Sequence, residues 1–446
     1  MRIALLVLVL ACACEDRTAP VPAPISIDAA VVAPPVAWSD AWLLAEGARF
    51  LDDTAARRAA LEAGLTNHDN AYSRLRLGSY GHGTRGWDML PVWNPRSTPV
   101  TRELAAMLAR GETPDPPAAG LWDGVRPTTM PGWVALGRRV FFEYPTRAEV
   151  FMEYALTEPA LAAKVGIERT REGTLPGLVV FADLDGEHRV GITCAICHAT
   201  VRDGATVAGA ARRTFDYGRL RATYDVAHDT VRSKDELRRM TSWGPGRADV
   251  TEDDDEDPVA IPDLWGLRAQ TFLTQAGTIR HASPIALAIR QETQLLDSNH
   301  QKIRPPRELA WALAMYVYSL TPPPRPAVAA GRGEAVFAAH CRGCHANAAY
   351  GGRAITAATI GTDPALATGR GRGTGHYRVP PLLAVADGAP YLHDGSVASL
   401  AELLSPARLA TNYRGGRFKR PVPGHRAGLE LDAADRTALI AFLQTL

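Results

Sequence analysis

Apolar positions recur along this chain in patterns that predict different elements. From Pro306 to Leu320 they fall at helical spacing, with Leu313, Tyr316, Val317 and Leu320 among them. Asp432 to Leu446 repeats the pattern, with Asp432 as N-cap and Ile440, Leu443 and Leu446 on one face. Leu178–Phe181 and Val190–Ile192 are short apolar runs on either side of Asp185-Gly186, which predicts a β-hairpin. Two helix-like segments, Gly137-Arg138-Arg139-Val140-Phe141 and Gly333-Glu334-Ala335-Val336-Phe337, share a Gly-x-x-x-Phe outline. The chain therefore repeats itself, and Thr321-Pro322-Pro323-Pro324-Arg325-Pro326 reads as a stiff linker between the copies. A last run, Ile3 to Ala11 after Met1-Arg2, is too short for a bilayer, which takes about 20 residues. Followed by Cys12, Ala13 and Cys14, it reads as an export signal.

Composition narrows the partners. The 446 residues carry 49 Lys and Arg against 48 Asp and Glu, a balance that argues against nucleic acid. Glycine at 39 and proline at 33 predict long loops between the helices. The six cysteines stand as three close pairs, at 12 and 14, 194 and 197, and 341 and 344. Cys194-Ala195-Ile196-Cys197-His198 and Cys341-Arg342-Gly343-Cys344-His345 both read C-x-x-C-H, the attachment signature of haem c. Two thiols add to the porphyrin vinyl groups, and the adjacent imidazole reaches the iron from the same turn. A zinc ribbon would pair two such knuckles across a short loop, but these lie far apart and each has a histidine behind it. Disulfides and a thioredoxin-like couple fit the histidines no better. Two covalent haems are expected, on Cys194 and Cys197 and on Cys341 and Cys344, with His198 and His345 as proximal iron ligands. Val9-Leu10-Ala11-Cys12 looks like a bacterial lipobox that would lipidate Cys12, with Cys14 as second choice. That implies a periplasmic or outer-envelope lipoprotein held to a membrane surface. Glu252 to Asp257 is an acidic run that offers calcium hard oxygen ligands, but without the spacing of a known loop it reads first as a solvated turn. Gly369 to Gly375 matches no phosphate-binding pattern and reads as a flexible loop.

Tyr377-Arg378-Val379-Pro380-Pro381-Leu382 and Ala389-Pro390-Tyr391-Leu392-His393-Asp394-Gly395-Ser396-Val397 resemble the second domain of bacterial diheme cytochrome c peroxidases and of relatives such as rubber oxygenase. The resemblance is good over about 327–446 and weaker in the first half, where the haem motif and the Trp265 region carry it. It implies a mainly α fold with two cytochrome c-like haem domains in tandem, long loops and a small β-hairpin insertion. The expected organisation is a signal with lipobox over 1–14, a Pro/Ala-rich tether over 15–37 and a helical extension over 38–129. Haem domains follow over 130–320 and 327–446, joined by the linker 321–326. In that superfamily one haem transfers electrons with two axial ligands, and the other is able to react with peroxide or dioxygen. The peroxidases carry a methionine ligand after the His-Asp-Gly segment; Ala407 stands there, and no methionine follows Met315. A non-sulfur sixth ligand on the second haem is therefore expected. Gly424-His425 matches the rubber-oxygenase-like pattern and makes His425 the favoured distal ligand, with His393 and His376 as alternatives. For the first haem, His281 is offered, with His300, Met240 and Met315 also in range. The aromatic that lies between the two haems in family members is replaced by the Gln275-Ala276-Gly277 segment, and Trp265 and Trp311 are left as substitutes. The expected function is electron transfer at the cell envelope, with a redox partner protein or a small oxidant as partner. The alternative is a peroxidase or oxygenase with an open first haem and the second as its relay.

Overall fold

Helices carry most of the fold, and two of their crossings are near copies of each other. The structure, a computed structural model, describes residues 36–230, 233–249, 257–325 and 331–446. The segment with Cys12 and Cys14, most of the tether and the acidic run at 252–256 lie outside them. Where the Met130–Glu143 helix crosses Arg307–Ser319, a Cβ on Gly137 would stand 1.9 Å from the Ala312 carbonyl oxygen and 2.7 Å from Tyr316 Cβ. Only a residue without a side chain permits that approach. The Arg332–His340 helix crosses Ala433–Leu443 in the same way, with Gly333 at 2.1 Å from the Ala438 carbonyl oxygen and 2.8 Å from Phe442 Cβ. Phe141 and Phe337 are fully buried beneath the two crossings. The Gly-x-x-x-Phe outline thus marks one packing device used twice. Asp432 caps its helix as expected, accepting from Asp435 N at 2.7 Å.

The hairpin forms and grows into a four-stranded antiparallel sheet. Its strands are β1 (Ser97–Pro99), β2 (Arg147–Ala148), β3 (Leu178–Ala182) and β4 (His188–Ile192), in the order β1-β3-β4-β2. β3 is buried along its whole length, which explains its unbroken apolar run. Gly177, at φ +94°, leads into β3 where a Cβ would fall 2.2 Å from Ile196 N, so the hairpin lies directly against the first C-x-x-C-H turn.

The region 38–129 is no appended extension. β1 comes from it and pairs with β3, Ser97 opposite Phe181. Its first helix, Asp40–Asp52, stacks Phe50 on Trp311 at 5.9 Å, and Gly47 abuts the same indole. One apolar core runs through Leu43, Phe50, Trp133, Phe141, Trp311 and Leu313. Periodicity records only neighbours in sequence, so a strand of three residues paired across the chain left no trace in it.

The two haem segments are packed together. Trp265 is buried against Ala210 and Ala384, and Arg378 N donates to the Gln275 carbonyl at 2.8 Å. Asp387 pairs with both Arg325, at 2.6 Å, and Arg202. The Gly369–Gly375 loop, expected to be flexible, is clamped. Its carbonyls accept from Ala71 N and Tyr72 N at 3.0 Å, Asn67 Nδ2 at 2.8 Å and Thr278 Oγ1 at 3.0 Å. Among the described residues no helix is long and apolar enough to cross a membrane.

Candidate functional site

The first signature follows β4 and folds as a single helical turn, Ala195–His198. His198 Nδ1 donates to the Pro262 carbonyl at 3.1 Å, which fixes the tautomer and leaves Nε2 with its lone pair. Burial, aided by the Arg290 charge, lowers this imidazole to about 4, so it is neutral at pH 7. Cys194 and Cys197 are free thiols that burial pushes up to about 11. These three residues line a cleft holding about 1250 Å³ of space, part of it open to solvent. Phe141, Leu264, Leu267, Leu273, Leu287 and Leu313 give it apolar walls, and Thr274, Gln275, Gln291, Arg290, Arg372 and Arg378 supply polar groups. Among the described residues His198 is the only histidine on this lining, with no methionine, tyrosine or lysine beside it. The set fits a haem c: two thiols, one neutral imidazole, apolar walls and guanidinium groups for the propionates.

The second signature follows the Arg332–His340 helix. His345 Nδ1 donates to the Tyr350 carbonyl at 2.6 Å, the same arrangement as at His198. Burial, aided by the charge of His425, lowers His345 to about 4, so the two imidazoles are within electrostatic reach. His425 Nδ1 is buried without a hydrogen-bond partner, and its residue sits at φ +42°. A non-glycine residue held there needs support from its surroundings. Arg408 supplies it: the buried guanidinium donates to the carbonyls of Leu403 at 3.0 Å, Gly424 at 2.9 Å, His425 at 2.8 Å and also Val422. His425 N adds a bond to the Ile360 carbonyl at 2.7 Å. His425, the favoured ligand, is thus held in a fixed backbone conformation with one ring nitrogen unengaged.

Other residues singled out in the sequence lie elsewhere. His393 stacks on Tyr377 at 4.2 Å, among the charges of Asp394, Asp363 and Arg247. His376 Nδ1 donates to the Thr374 carbonyl at 2.9 Å. His281, offered to the first haem, is held elsewhere by hydrogen bonds. Its Nδ1 donates to the Gln270 carbonyl at 2.8 Å, its Nε2 accepts from the Tyr318 hydroxyl, and it does not line the cleft. Neither ring nitrogen is left for iron. Met240 and Met315 are buried away from the cleft lining, and His300 is exposed. Gln275 does line it, and Trp265 lies at the seam between the segments, its indole N–H reaching the Ala208 carbonyl at 3.3 Å. Ala407 is exposed; its neighbour Arg408 is the buried residue.

Sequence reading passed over a second repeat. Ile261-Pro262-Asp263-Leu264 and Val379-Pro380-Pro381-Leu382 have one outline, and the carbonyl of the first proline acts on the proximal histidine in each copy. Comparing the two halves from each C-x-x-C-H motif onward would have found it. Arg290, Arg372, Arg378 and Arg408 were also missed, because an isolated arginine carries no motif.

Comparison with known proteins agrees with this geometry in part. The family model of cytochrome c matches residues 330–446, so the second segment is a cytochrome c domain and the chain carries covalently bound haem c. No curated protein matches the chain. Among solved structures, one described as a MauG-like protein associated with microbial copper homeostasis is similar at 20% identity. That overlap covers 46% of this chain and 78% of that one, with a TM-score of 0.33.

Proposed function

We propose that this chain is an exported diheme c-type cytochrome with unequal haems. Cys194, Cys197 and His198 would hold one haem c, and Cys341, Cys344, His345 and His425 the other. The first would supply reactivity toward a small oxidant, peroxide or dioxygen, and the second one-electron transfer to it. One observation carries the reading: among the described residues His198 is the only conventional axial ligand on the lining of the first cleft. A relay with two six-coordinate haems needs a second ligand there, and His281, the histidine offered, has both nitrogens engaged.

When bound, haem c would supply one-electron redox chemistry and a place for the oxidant. The protein supplies the rest. The Pro262 and Tyr350 carbonyls orient His198 and His345 and leave Nε2 of each free to bind iron. Leu273, Leu287 and Leu313 give the first cleft apolar walls, while Gln275 and Gln291 offer neutral hydrogen-bonding groups to a polar guest. Trp265 closes the seam between the segments. The apolar run ending at Cys12 and the Pro/Ala-rich stretch behind it fit export and a lipid tether on the periplasmic or outer-envelope side.

Cyanide titration of the ferric protein tests this. One cyanide bound per chain, with the spectral change confined to one haem, is the expected result. No binding at ligand concentrations that saturate open ferric haems would return the protein to the pure relay reading.

A further inference from the structure

Three arginines line the cleft of the first signature, and two belong to the other haem segment. Arg290 lies on the Pro284–Ser298 helix, and its charge acts on both Cys194 and His198, which places it toward the attachment turn. Arg372 and Arg378 enter instead from the second segment, beside the Leu273–Thr278 stretch. Arg378 Nη1 reaches the Leu273 carbonyl at 3.4 Å, and the Arg372 carbonyl is held by Thr278 Oγ1 at 3.0 Å. Arg378 is buried, its Nε has no partner, and no carboxylate pairs with it. Burial alone brings this guanidinium down to about 10. The one carboxylate on the lining, Asp263, is already paired with Arg213 at 2.9 Å. A buried, unpaired guanidinium is costly and calls for an anion.

Haem c brings two. Its thioethers fix the vinyl edge of the ring at the cysteines, so the propionates project from the opposite edge. We infer that Arg372 and Arg378 hold the propionates of the first haem, so that the second segment completes the site of the first. This rests on the reading that a haem is attached at Cys194 and Cys197. The clamped Gly369–Gly375 loop then has a purpose. Its bonds to Ala71, Tyr72 and Thr278 fix Arg372 at the rim, and the Arg378 N bond to the Gln275 carbonyl fixes Arg378. Docking of the two segments thereby sets the electrostatic field at the first haem.

Positive charge near iron disfavours the ferric state, so removing it stabilises the ferric state and lowers the potential. Spectroelectrochemistry of the full-length protein carrying Arg378→Gln or Arg372→Gln, with both haems counted by mass spectrometry, reads this directly. At a fixed applied potential the ferrous-to-ferric ratio of the first haem is expected to fall by about threefold or more, as suits one charge in a partly solvated cleft. The second haem is expected to stay unchanged. Arg378→Lys, which keeps the charge, is expected to restore most of the ratio. Unchanged potentials in both glutamine variants with two haems bound would overturn the inference. A chain found to carry one haem would instead overturn the reading beneath it.

Discussion

The two haem segments begin alike and finish differently. Each sets a Gly-x-x-x-Phe helix across a closing helix, and each ties its proximal histidine to a backbone carbonyl through Nδ1. What differs is what faces that histidine. In the second segment the 422–425 loop is pinned by Arg408, and the charge of His425 acts on His345. In the first, a hairpin occupies the chain before the signature, and the cleft beyond offers no second ligand. In the proposed function the signature determines attachment, and the loop that follows, or its absence, decides whether a second ligand is at hand. On that proposal one domain plan serves both a relay and a reactive centre.

Breaking that contrast should begin at His425. His425→Ala is expected to convert the second haem from low-spin to high-spin while leaving the first as it is, and optical spectra of the ferric variant check this. Arg408→Met should do the same in part, since it frees the loop without removing the imidazole. The shared helix crossings come next. Alanine at Gly137 or Gly333 forces a Cβ to within 1.9 or 2.1 Å of a carbonyl oxygen. Each is expected to lower unfolding free energy by about 1–3 kcal/mol, measured by chemical denaturation. The smallest effect is expected from His376→Ala. That ring is engaged with the Thr374 carbonyl, so both haem spectra should keep their wild-type form.

Much of this contrast was legible in the sequence because it is local. The signatures, the closing helices at Arg307–Ser319 and Ala433–Leu443 and the hairpin all follow from neighbouring residues. What escaped depends on distant partners. The pairing of β1 with β3 joins residue 97 to residue 181, and the Gly369–Gly375 loop became ordered only through Asn67, Ala71, Tyr72 and Thr278. His281 looked suitable by position, yet its fate was decided by the Gln270 carbonyl and Tyr318. Arg378 of the first cleft was invisible for a related reason: its meaning lies in a buried guanidinium nitrogen without a partner, which only packing reveals.

Electron paramagnetic resonance of the isolated ferric protein, quantified against total haem, tests the central claim most directly. The account predicts equal amounts of one high-spin signal, from the haem at His198, and one low-spin bis-imidazole signal, from the haem at His345 and His425. Two low-spin signals with no high-spin component would contradict it.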